Sequence, residues 1–204
     1  MITLGTAWSY QDEISGEDVG HNHKLPSERF IRRLLGVDEI SKSLGSALQH
    51  LLGRLPALQI ILTVSPVRHT RDGLRENNLS KSALLLAASQ LESTSERISY
   101  FPAYELLLDE LRDYRFYADD LAHPSPSATR YIWEKLSDSY FDEKTQGRCR
   151  KISMIRSSLN HRPSHPDTLE HQAHLSRVRT QINALEEEGL DAAFLRAQLE
   201  ATIS

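Results

Sequence analysis

The hydrophobic positions change period several times along the chain, and each change marks an element. Leu58 to Val64 is a short apolar run rich in branched residues, the pattern of a strand buried on both faces of a parallel sheet. Ile2 to Thr6 and Ile98 to Phe101 read as shorter strands. Between the strands the period is helical. Ile40, Leu44, Leu48, Leu51 and Leu52 share one face of a helix that begins at Val37 and stops between Gly53 and Pro56. Ser80 is placed to cap a helix carrying Ala83, Leu84, Leu85, Ala87, Ala88 and Leu91, and Tyr104 to Leu111 forms a short one. Tyr131, Ile132, Trp133, Leu136 and Tyr140 lie on another. Phe30, Leu34 and Leu35, introduced by Pro26 and Ser27, also fit helical spacing. Residues 7–26 and 112–126 are polar and read as loops.

Strands that alternate with helices predict the α/β class: a partial, flavodoxin-like parallel sheet with helices on both faces. Three strands are few for such a sheet. The chain opens directly on a strand-like run, which predicts that one or two strands lie upstream of Met1. The tail has a different texture. Gly147, Pro163 and Pro166, with Arg148, Arg150, Lys151 and Arg156, predict a basic linker over residues 144–166. An amphipathic helix then starts at Thr168, with Leu175, Val178, Ile182 and Leu185 on one face. Gly189 interrupts it, and Leu190, Phe194, Leu195 and Leu199 continue as a shorter helix. The expected organisation is a domain over residues 1–143, followed by a linker and C-terminal amphipathic helices over residues 144–204.

Composition narrows the function more than the fold. The 204 residues are 39% hydrophobic, with 24 Lys and Arg against 28 Asp and Glu. That balance offers no basic footprint for nucleic acid. Cys149 is the single cysteine, so no disulfide framework or cysteine-rich metal site forms within the chain. No apolar run approaches the length of a membrane span. The expectation is a cytoplasmic chain with no cofactor, no metal, no nucleic-acid partner and no membrane partner. An unpaired sheet edge or the tail helices would support self-association.

In open α/β sheets, chemistry collects in the loops at the carboxyl ends of the strands. The first loop holds Gly5 and Thr6, then His21, Asn22, His23 and Lys24. The second runs from Ser65 through Arg68 and His69 to Asn77 and Asn78. The third carries Arg112, Asp113 and Arg115, then Asp120 and His123 followed by Pro124. Asp120 and His123, three apart, suit a carboxylate that holds one imidazole nitrogen and leaves the other as a general base. The same spacing suits a capping or surface pair. Arg68 and His69 are candidates to bind substrate oxygens, and a loop arginine equally ties two loops together. Arg112, Asp113 and Arg115 read as an ion-pair network that positions the Asp120 loop. Asn77 and Asn78 read as turn formers or a helix cap. His21 and His23 have an i, i+2 spacing but no evident third ligand, so no metal is expected. Ser65 precedes proline at a strand end without an elbow motif and is rejected as a nucleophile.

An ordered set of segments resembles the GSCFA domain family. It comprises Thr63-Val64-Ser65-Pro66-Val67-Arg68-His69, Asp72-Gly73, Glu76-Asn77-Asn78 with Ser80-Lys81, and Tyr100-Phe101-Pro102-Ala103-Tyr104-Glu105. It continues with Asp113-Tyr114-Arg115-Phe116-Tyr117, Asp120 with His123-Pro124, Tyr131-Ile132-Trp133-Glu134, and His161-Arg162-Pro163. The resemblance covers nearly the whole chain. It implies kinship to the SGNH/GDSL hydrolases, an SGNH-type sheet, and cleavage of a small-molecule or carbohydrate ester. It also implies His123 as general base and Asp120 as its orienter. Gly5, Thr6, His23, Lys24, Arg68 and His69 are the implied substrate-binding residues.

Two departures qualify that implication. The asparagine of the superfamily's Gly-x-Asn-Asp block, an oxyanion donor, falls on Ala7, while Asn22 stands one position from the related family asparagine. No Gly-Ser-Cys or Gly-Asp-Ser occurs in the sequence, so the family's nucleophile segment is missing. The chain is expected to be a fragment of a longer product, or else a truncated and inactive homologue. Two readings follow. One is a serine esterase or acylhydrolase, inactive as this chain alone; the other is a non-catalytic ligand- or partner-binding α/β module.

Overall fold

The structure is a computed structural model, and it describes residues 1–20, 24–160 and 168–203. It divides into two compact units, Met1–Glu134 and Lys135–Ser204.

The first unit is built on strands β1 (Ile2–Leu4), β5 (Ile60–Val64) and β6 (Ile98–Tyr100), paired in parallel with β5 in the middle. Leu4 faces Val64 across one ladder, and Leu62 faces Tyr100 across the other. Helix α1 (Val37–Arg54) and helix α2 (Leu74–Glu92) connect these strands. Asp38 and Glu39 in the first turn of α1 and Arg54 in its last complement the helix dipole. Ile60 and Leu62 of β5 pack with Leu48 and Leu52 of α1, Ala88 and Leu91 of α2, and Ile98 of β6. Val64 continues the core with Ile40, Leu84 and Ala87. At Gly45 of α1 there is little room against α2: a Cβ there would lie 3.1 Å from the side chain of Leu91. This parallel sheet with its connecting helices is the expected α/β architecture.

Three segments of the first unit differ from the sequence reading. Residues 7–26, expected as loop, contain β2 (Trp8–Asp12) and β3 (Asp18–Val19). Phe30 to Leu35, expected as helix, enters as a 3-10 turn at Ser27–Arg29 and becomes β4 (Phe30–Leu34). These strands form a second, antiparallel sheet in the order β3-β2-β4. The cause is tertiary: five residues before Gly36 make only one helical turn, whereas β4 finds five partners along β2. Arg32 lies over the ring of Trp8 at 4.2 Å and Arg29 closes a double hydrogen bond on buried Asp12. The third difference is the start of α2. It begins six residues before Ser80, which is therefore an interior residue and not a cap.

After β6 the chain forms α3 (Ala103–Glu105), which runs into a π-helical turn over Leu106–Glu110. A 3-10 turn at Tyr114–Phe116 follows, capped by the Asp113 carboxylate, and then α4 (Pro126–Tyr140). Leu107, Leu111, Tyr117 and Ala128 gather into a small core.

The second unit is helical. Residues expected as a basic linker form α5 (Glu143–Asn160), followed by α6 (Leu169–Glu187) and α7 (Ala193–Ile203). Thr168 caps α6, and Gly189 ends the run with φ +78°. Ile155 and Leu159 of α5 pack with Val178, Ile182 and Leu185 of α6 and with Leu195 and Leu199 of α7. The apolar spacing Ile152, Ile155, Leu159 was present in the sequence but is diluted by five basic residues in the same helix. Among the described residues no helix is long and apolar enough to cross a membrane.

Candidate functional site

The carboxyl ends of β1 and β5 hand the chain over to Gly5-Thr6-Ala7 and to Ser65 through His69, and one helix face holds both segments. Asn77, Ser80 and Lys81 occupy consecutive turns of α2 and are all buried. Asn77 Oδ1 accepts the His69 N–H at 2.9 Å. Ser80 Oγ accepts the Ala7 N–H at 2.7 Å and lies 3.1 Å from the Thr6 hydroxyl. Lys81 Nζ donates to the carbonyls of Gly5 at 2.6 Å and Ser65 at 2.7 Å. Asn77, expected as a turn former or cap, is thus an interior residue of the helix that fastens a loop. A sequence signal existed: positions 77, 80 and 81 extend the apolar stripe of Leu84, Ala87, Ala88 and Leu91. Polar residues on a buried face must have partners.

His69 sits against this cluster. Its Nε2 lies 3.9 Å from where a Gly5 Cβ would stand. Burial first, and then the Lys81 charge, hold its pKa below the ordinary histidine value. Asp72, three residues on, pairs with Arg32 of β4 at 2.5 Å, so the second sheet is tied to the same loop. Ala7 is 1% exposed; its N–H is engaged by Ser80 and its carbonyl accepts from Leu35. Position 7, where the resemblance puts the oxyanion asparagine, therefore belongs to the core.

Arg68 links this cluster to the Asp120 loop. Its N–H donates to the Ala122 carbonyl at 3.1 Å, and its guanidinium reaches the Leu121 carbonyl and the Tyr117 hydroxyl. The loop itself is a tight turn. Ala118 N–H donates to His123 C=O, a bridge joins Tyr117 to Pro124, and Leu121 adopts φ +55°. That backbone region is unfavourable for a leucine and is kept only where surrounding bonds impose it.

Asp120 organises the turn. One carboxylate oxygen accepts the N–H groups of Ala122 and His123, both at 2.9 Å, and the other lies 2.5 Å from His123 Nδ1. The amides of His123 and Ala122, and then the imidazole, draw the Asp120 pKa down to about 2. With Nδ1 directed at the carboxylate, Nε2 is the nitrogen left to exchange a proton. Both side chains are at least half exposed, at 62% for His123 and 50% for Asp120.

A cavity of about 370 Å³ opens beside Arg68 and Tyr117, bounded also by Leu108, Asp109, Arg112, Asp113 and Tyr114. Arg112 pairs with Asp109 and Arg115 with Asp113, all on exposed side chains. These pairs are local, so the expected network that positions the Asp120 loop is replaced by Arg68. Lys24 is exposed, with φ +64°, and the hydrogen bonds of the described residues do not join it to this set. His21, Asn22, His23 and His161-Arg162-Pro163 lie outside the described residues. No group of three or more metal-ligating side chains occurs among the described residues.

An α/β unit with polar loops gathered at the carboxyl ends of β1 and β5, followed by a helical unit, is the class that fold and geometry define. Residues 1–136 match the GSCFA family, and residues 152–204 match the C-terminal domain of GSCFA domain proteins. The chain belongs to the GSCFA family. No curated protein and no solved structure matches it.

Proposed function

We propose that this chain carries the base half of a serine ester hydrolase of the SGNH/GDSL type. The observation that supports this is the 2.5 Å contact between Asp120 Oδ2 and His123 Nδ1. In such a pair the carboxylate fixes the tautomer and stabilises the imidazolium, while Nε2 takes the proton of an attacking hydroxyl and returns it to the leaving group. The 204 residues contain no Gly-Ser-Cys or Gly-Asp-Ser segment, so on this reading the hydroxyl comes from polypeptide outside them. The substrate is a small-molecule or carbohydrate ester, and the cavity beside Arg68 receives part of it.

The test compares the 204-residue chain with a version extended at its N-terminus by a segment containing Gly-Ser-Cys-Phe-Ala. A fluorophosphonate probe should label the extended protein alone, and only that protein should turn over an activated acyl ester. His123→Ala should cost on the order of 10²- to 10⁴-fold in kcat, and Asp120→Asn less. Labelling of the 204-residue chain would place the nucleophile within it and overturn this division of roles.

A second reading is a non-catalytic binding module. It is favoured by the half-exposed setting of Asp120 and His123, and by the two backbone amides that already occupy Asp120 Oδ1. An extended protein that is neither labelled nor active would select it.

A further inference from the structure

Lys81 stands at the end of the buried polar face of α2, and its setting is unusual for a cation. It is 1% exposed and appears in no ion pair of the described residues; burial alone accounts for the lowering of its pKa, to about 8. An ammonium group taken out of water without a counter-charge is among the costliest groups a fold can bury. An apolar side chain of similar length would fill the space without that cost. Packing therefore does not explain why a lysine is here.

The bonds do. Leu4 and Val64 are the last paired residues of β1 and β5, and the Ser65 N–H still donates to the Leu4 carbonyl. The next carbonyls, of Gly5 and Ser65, stand where the two chains diverge into loops, and Lys81 takes both. Asn77 and Ser80 accept the N–H groups of His69 and Ala7 in the same two loops. One helix face thus supplies the donor for two carbonyls and the acceptors for two amides.

We propose that Lys81 is a positioning residue: its ammonium clasps the Gly5 and Ser65 carbonyls and so sets the Gly5-Thr6 and Arg68-His69 loops at a fixed separation. Its role in a reaction rests on the hydrolase reading above, but the clasp is measurable without turnover. Lys81 also bears on His69. Besides burial, the groups that face His69 are Lys81 and Arg32, which disfavour its protonation, and Asp72 and the Gly5 backbone, which oppose them. The balance disfavours the imidazolium of His69, and removal of the Lys81 charge leaves the Asp72 carboxylate less opposed.

The direct test uses the wild-type chain labelled with ¹⁵N and ¹³C. Scalar couplings across the hydrogen bonds should connect Lys81 ¹⁵Nζ to the carbonyl carbons of both Gly5 and Ser65. Absence of both couplings, with ammonium protons that exchange as fast as those of surface lysines, overturns the clasp. A second arm uses Lys81→Met. The His69 ring should bind a proton more tightly than in wild type, because the Lys81 charge that opposes its protonation is gone. The amides of Arg68 and His69 should exchange about tenfold faster. The titration shift follows from the charge alone, so the amides discriminate. A lysine that only fills space would leave exchange at Arg68 and His69 unchanged, and that result in a folded Lys81→Met chain also overturns the proposal. Should the variant not fold, the wild-type couplings decide. In the N-terminally extended protein, Lys81→Met should lower kcat more than it changes KM. If the extended wild type shows no turnover, the hydrolase reading fails, while the couplings still decide the clasp.

Discussion

The guanidinium of Arg68 lies 4.2 Å above the ring of Tyr117 and donates to the hydroxyl of that same residue at 3.0 Å. With its further bonds to the Asp120 loop, this makes Arg68 the joint between the segment after β5 and the segment that presents His123. Removal of a partly buried charged donor should cost about 1–2 kcal/mol. Arg68→Met should therefore lower urea stability by that amount and raise exchange at the Ala122 and His123 amides. Arg68→Lys should recover little, because an ammonium cannot span the Leu121 carbonyl and the Tyr117 hydroxyl as a planar fork does. Full recovery by lysine would mean that charge alone matters.

Asp120 predicts the shape of the acid limb of stability. Its folded pKa, about 2, lies below the unfolded value of about 3.9, so the unfolded chain binds the proton more tightly. The contribution of Asp120 is present above pH 4 and is lost as pH falls through 2. Asp120→Asn should flatten the fall in unfolding free energy between pH 4 and 2 relative to wild type. Parallel curves for the two proteins across that window would show that Asp120 is as free in the folded chain as in the unfolded one.

Ser80 and Asn77 leave a backbone amide without its acceptor when truncated. Ser80→Ala orphans the Ala7 N–H in a buried setting and should cost about 1–3 kcal/mol in chemical unfolding. Asn77→Ala should cost a similar amount and expose the His69 amide to exchange. By contrast Leu86→Ala, on the same helix but 59% exposed, should cost less than about 0.5 kcal/mol. A Ser80→Ala effect as small as that of Leu86→Ala would remove Ser80 from the account of the site.

Leu121 should respond to backbone demand more than to side-chain size. At φ +55° and 49% exposed, it has little packing to lose and a conformation that glycine adopts freely. Leu121→Gly should be neutral or stabilising by up to about 1 kcal/mol, and Leu121→Val should be destabilising by about 1 kcal/mol. Circular-dichroism melts of the two variants decide it; valine tolerated as well as glycine would contradict the strained turn.

Periodicity was a sufficient guide wherever an element buries one continuous apolar stripe. Leu58 to Val64 contains β5, Ile40 to Leu52 marks α1, and Val178 to Leu185 marks α6, because burial of these side chains is decided by the local spacing itself. The Asp120–His123 contact was legible for a similar reason: three residues apart in a tight turn, the two cannot be far from each other. What only the tertiary structure decided depends on partners distant in sequence. Phe30 to Leu34 is a strand because β2, some twenty residues earlier, supplies its ladder, and no local signal carries that information. The Asn77-Ser80-Lys81 face has meaning only once α2 is laid along the carboxyl ends of β1 and β5, more than seventy residues apart at Gly5 and Lys81. A buried polar group is defined by the group that satisfies it, and that group is chosen by packing, not by spacing along the chain.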